Sequence, residues 1–76
     1  MNNNKTLQNI LNDLIDDVKS ENVLCIAETL GQVGFKSRPC EGFKLIFEND
    51  SNMAIFIRKN GCEVYLGAWI LFEVAY

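Results

Sequence analysis

Histidine is missing from this chain altogether, proline occurs once, and the 3 cysteines, Cys25, Cys40 and Cys62, form no CxxC pair. Without an imidazole, a cysteine nucleophile lacks its usual base and a zinc site its usual mixed ligand set. The phosphate-cradling patterns GxxxxGK[ST] and GxGxxG are absent, and the 5 glycines are spread among turns. The carboxylates do not form a calcium loop, and one helical run cannot supply the opposed pair that glycoside chemistry needs. These absences argue against an enzyme and against a metal or cofactor. A membrane helix is missing as well, because the longest apolar run, Val64 to Tyr76, is too short and is interrupted by Gly67 and Glu73. The Asn-rich start followed by helically spaced apolar residues is not a signal-peptide pattern. With an odd number of thiols, this suggests cytoplasmic residence in the reduced state.

Positive charge is also scarce: 7 basic against 10 acidic residues give a net charge of −3. The deficit lies in the first 32 residues, where Asp13, Asp16, Asp17, Glu21 and Glu28 face only Lys5 and Lys19. Such a chain repels phosphate, so direct nucleic-acid binding is not expected and a basic protein surface is the natural electrostatic partner.

What is present is a hydrophobic fraction of 49% in 76 residues, enough for one domain with a small core. Leu7, Ile10, Leu11, Leu14, Ile15 and Val18 recur at helical spacing. Asp13, Asp16 and Asp17 lie toward the C-terminal end of that stripe, where the helix dipole disfavours them. Ser20 is placed to cap a second helix from about Glu21 to Val33, with Val23, Ile26, Ala27 and Leu30 inward; one bent helix is the alternative. Cys25 reads as core, and Gly34 suits the left-handed residue that ends a helix.

Beyond a short strand expected at Phe35–Arg38 and a loop at Pro39–Gly42, alternation sets the pattern. Phe43, Leu45 and Phe47 share one face, as do Met53, Ile55 and Ile57. A turn over Asn49–Asn52 pairs Phe47 with Met53 and Leu45 with Ile55. Asn60-Gly61, read as a two-residue hairpin turn, pairs Ile57 with Val64 and Ile55 with Leu66. The predicted fold is α+β in two layers: a helical layer (4–33, one or two helices) on a three- to four-stranded antiparallel sheet (43–76). Leu66 and Ile70 belong to the expected core. Phe56, Tyr65, Ile46 and Trp69 gather on the opposite face, rimmed by Lys44, Arg58 and Glu63. Read as one strand, Val64–Tyr76 overshoots its partner, leaving Leu71 to Tyr76 to pair internally or with another chain.

The candidate partner-binding residues are therefore Asp13, Asp16, Asp17 and Glu21 on the acidic helical layer and Phe56, Tyr65, Trp69 and Leu71 on the sheet. In size and charge the chain resembles the broad class of phage anti-defence proteins, anti-CRISPR proteins among them, and bacterial immunity proteins. That resemblance implies a non-enzymatic inhibitor that occludes the working surface of a nuclease or nucleic-acid-binding complex. The alternatives are a homodimeric or higher structural subunit joined through the sheet face or the C-terminal strand, and a small-ligand carrier.

Overall fold

The helical stripe folds as two pieces in the computed structural model, which describes residues 3–38 and 44–76, with side chains from Leu7 onward. Helix α1 (Asn3–Asp13) stops at Leu14, whose N–H reaches the Leu11 carbonyl at 3.3 Å in a tighter turn, and α2 (Ile15–Lys19) resumes immediately. The break keeps Leu7, Leu11, Leu14 and Val18 buried on one side. It also corrects the electrostatic expectation for two of the three aspartates: Asp16 and Asp17 occupy the first turn of α2 and Lys19 its last, the arrangement that a helix dipole favours, while Asp13 ends α1, where the dipole disfavours it as expected.

The cap of α3 (Val23–Gly31) is Asn22, not Ser20: its side chain accepts the Cys25 N–H at 3.4 Å. Glu21 makes the corner before it with φ of 55°. This phase buries Ile26 and Leu30 but leaves Val23 and Cys25 exposed, overturning the core assignment of that thiol. The helix stops as anticipated: Gly34 takes φ of 94° and the Phe35 N–H returns to the Leu30 carbonyl at 3.0 Å.

The sheet is a meander of five antiparallel strands in sequence order: β1 (Lys36–Arg38), β2 (Leu45–Glu48), β3 (Met53–Arg58), β4 (Gly61–Leu66) and β5 (Trp69–Ala75). The architecture is thus α+β in two layers, with five strands in place of the three or four expected. Phe43 and the loop Pro39–Gly42 lie outside the described residues.

Both hairpins keep the anticipated faces but are shifted by two residues. The shift is even, so no side chain changes sides. Phe47 pairs with Ile55 and Leu45 with Ile57. The cause is Asn49, whose side-chain oxygen accepts the N–H groups of Ser51 and Met53, both at 3.0 Å, while its own N–H donates to Met53 O at 3.1 Å. In the next hairpin Arg58 pairs with Gly61 and Ile57 with Cys62, so Lys59-Asn60 forms the turn. Gly61 belongs to the strand because the Val74 carbonyl passes where a side chain would start: a Cβ there would lie 2.5 Å from that oxygen.

The largest correction concerns Val64–Tyr76. The run reverses at Gly67, which adopts φ of 60° and donates its N–H to Asn52 O at 2.8 Å. What read as an overhang is β5, folded back on β4, while β1 pairs with β2 at the far edge. Among the described residues, helices cover one face of the sheet, with Phe47, Ile55, Ile57, Cys62, Val64 and Val74 buried beneath them. Each such side chain contributes on the order of 1.5–3 kcal/mol before entropy. Leu66 and Ile70 are not core: they are 42% and 48% exposed at the end of the sheet where β4 turns into β5.

Candidate protein-binding surfaces

The eight candidate residues do not converge. Glu21 lies at the β3–β4 turn, where its carboxylate meets Lys59 at 2.9 Å. Asp13 and Asp16 are exposed and Asp17 is partly buried. Trp69 and Leu71 stand at or near the β4–β5 turn, the opposite end of the sheet, since strand β4 separates the two turns. Phe56 and Tyr65 lie between those ends on the uncovered face. The sheet set expected as one surface is thus divided between the uncovered face and the β4–β5 turn, apart from the acidic helical layer.

The uncovered face is set by strand parity. Ile46 pairs with Phe56 and Phe56 with Glu63, while Ala54 pairs with Tyr65 and Tyr65 with Ile70. Phe56 and Tyr65 meet diagonally, edge to face, with centroids 5.4 Å apart. Beside them a shallow groove of about 610 Å³ is lined by residues including Glu48, Asn52, Phe56, Arg58, Glu63 and Tyr65. Arg58 and Glu63 form an ion pair at 2.9 Å. The face is therefore aromatic at its centre and charged around it.

Trp69 does not join that cluster. Its strand partner is Leu66, which pairs with Met53, so these three have the parity of the helix-covered side; Met53 packs against the core, while Leu66 and Trp69 are exposed. The parity change comes from a bulge that leaves Leu71 as the additional residue of β5 between Ile70 and Phe72. Alternation from Tyr65 onward missed it because a turn and a bulge each alter the count. Trp69 is 78% exposed, and its strand partner Leu66 and chain neighbours Ile70 and Leu71 are also exposed, Ile70 on the opposite face of the sheet. Leu66 and Ile70, read as core from the sequence, are thus part of the largest apolar display at this end.

The two edges of the sheet differ. Strand β1 exposes Lys36, Ser37 and Arg38, a charged edge that discourages further pairing. Strand β5 is apolar apart from Glu73, which lies directly opposite Glu63 on the uncovered face. Among the described residues, no cation lies within ion-pair distance of Glu73. Together, the bulge and this charge interrupt β5 as a template for strand addition.

Among the described residues, the shifted titrations are those of Cys62 and Tyr76. Burial pushes the Cys62 thiol up, against the lowering effects of the Tyr76 hydroxyl and the Val74 backbone; Glu63 adds slightly to the rise. Tyr76 is pushed above the ordinary phenol range, chiefly by burial and then by Cys62. Both face the core side and neither opens onto the groove. Among the described residues, no three carboxylate or thiol side chains converge as a metal site, and no helix is long and apolar enough to cross a membrane. Comparison with known families, characterised proteins and solved structures returns no match.

Proposed function

We propose that this chain is a non-enzymatic protein-binding module that acts by covering its partner's working surface. The observation that carries this reading is the β4–β5 turn: Trp69, 78% exposed, stands with Leu66, Ile70 and Leu71 outside the core. An exposed tryptophan beside an exposed aliphatic strand partner, Leu66, is the composition of an interface hot spot, where desolvation of a few large groups supplies most of the affinity. The acidic helical layer and the net charge of −3 favour a partner with a basic surface, such as a nuclease or a nucleic-acid-binding complex.

The test places a photo-crosslinking amino acid at position 69 and, as a control, at position 36 in the charged edge strand. The proposal expects a discrete protein adduct from position 69 only. It also expects the captured partner to lose nucleic-acid binding when the wild-type chain is added, and to keep it with Trp69→Ala. Equal labelling from both positions, or a partner whose nucleic-acid binding is unaffected by the wild-type chain, would contradict it.

A further inference from the structure

The uncovered sheet face carries a second, independent inference, because its charges are sorted by strand. On β1 to β3 and at the start of β2 the outward side chains are Lys36, Arg38, Lys44 and Arg58, with Glu48 the single acid; on β4 and β5 they are Glu63 and Glu73. One transverse row reads Arg38, Ile46, Phe56, Glu63, Glu73. It runs from positive through apolar and aromatic to negative.

We propose that this face is the interface of a homodimer, two copies packing sheet to sheet about a two-fold axis parallel to the strands. A two-fold interface must be self-complementary. An axis along the strands lays β1 of one copy over β5 of the other, so Arg38 meets the partner copy's Glu73 while the Phe56 and Tyr65 clusters stack at the centre. An in-plane axis across the strands would lay β1 on β1 and β5 on β5, opposing like charges. The charge pattern selects the first, an aligned sandwich.

The same packing accounts for a feature that is unfavourable in the isolated chain. Glu63 and Glu73 face each other across adjacent strands, where like charges destabilise a sheet. Glu63 is relieved by Arg58 at 2.9 Å, whereas Glu73 is not relieved within the described chain. Arg38 can supply the missing cation, since its link to Glu48 is long, at 3.5 Å, and both side chains are well exposed. Five strands of three to seven residues, at about 4.8 Å spacing and about 3.3 Å per residue, give a face of about 400 Å² per copy, below the standard size of specific interfaces, so a weak association of micromolar affinity or weaker is expected. The axis also leaves both β4–β5 turns at the same end, presenting two Trp69 side chains in one direction.

The test is sedimentation equilibrium of the full chain under reducing conditions, up to about 1 mM to span weak association. Wild type should rise from 8.6 kDa to twice that mass. Because each contact occurs twice in a two-fold dimer, Arg38→Glu or Glu73→Arg alone should weaken it about tenfold or more, and the double reversal should restore it. Phe56→Asp should abolish it. The melting temperature of Glu73→Arg at low concentration should be undiminished, which separates lost association from lost folding. A wild-type monomer throughout, single reversals that leave the dimer intact, or a double reversal that fails to restore it would each overturn the proposal. None of these outcomes depends on the foreign partner.

Discussion

The Tyr76 hydroxyl donates a 2.7 Å hydrogen bond to the Leu11 carbonyl, joining the end of the sheet to the point where the helical layer breaks. The break at Leu14 leaves the Leu11 carbonyl with only a 3.3 Å bond from the Leu14 N–H. The tyrosine therefore satisfies a carbonyl that the helix does not fully use, and it anchors β5 to α1 at the same time. Tyr76→Phe should retain most of the apolar burial but lose this bond, costing about 1 kcal/mol in denaturant unfolding with an unchanged m-value.

Gly61 is required for reasons of space as well as conformation. A Cβ at that position meets the backbone oxygen of Val74 at 2.5 Å, and the backbone of β5 cannot withdraw without breaking its pairing with β4. Gly61→Ala should cost on the order of 2–3 kcal/mol, as an overpacked and strained site does. Chemical denaturation checks this, with Gly31→Ala, a helical position with open space around it where alanine should be neutral to stabilising, as the control.

The Asn49 turn sets the register of β2 against β3. Its side-chain oxygen accepts two N–H groups at 3.0 Å each, so Asn49→Ala should lose about 1–2 kcal/mol. Asn49→Asp, which keeps both acceptor contacts, should recover most of it. Thermal melts of the two variants give the comparison.

Stability should fall on the alkaline side. The Cys62 and Tyr76 groups have folded-state values raised above those of the unfolded chain, so folding favours their neutral forms. Their contribution is complete below the unfolded thiol value near 9.0 and declines as pH rises past that value and then past 10.0 for the phenol. Unfolding curves at neutral and alkaline pH should show a loss that Cys62→Ala reduces. The same burial predicts the order of alkylation by peptide mass spectrometry: exposed Cys25 reacts early, and Cys62 only with global opening.

Much of this was legible because faces are more robust than registers. Alternation placed Phe47, Ile55 and Val64 on the buried side, and a two-residue shift left that assignment intact. The register itself depended on side chain to backbone bonds at Asn49 and on the close approach at Gly61, neither of which periodicity records. In the helical layer the inward positions Ile26 and Leu30 agree with the stripe, but the cap is Asn22 in place of Ser20, with Glu21 in a left-handed conformation before it, and Cys25 lies off that stripe and is exposed. The terminal run misled most. Its hydrophobicity suggested one long strand, whereas Gly67 reverses the chain and the Leu71 bulge changes parity again. Trp69 consequently stands at an end of the sheet, while the face it was assigned to is occupied by Tyr65 and Ile70. Sequence spacing likewise could not show that Glu21 and Trp69 lie at opposite ends of the sheet.

The central claim is a division of labour: the outer sheet face serves a second copy, while the β4–β5 turn stays free for a different protein. Trp69 is the sole tryptophan, so its fluorescence reports that turn alone. The decisive measurement is its emission wavelength and acrylamide quenching across the concentration range in which molar mass doubles. The account predicts solvent-like emission and unchanged quenching throughout, because the dimer forms on another face. A blue shift with protection from quencher that tracks the rise in mass would place Trp69 inside the self-association contact and contradict the account.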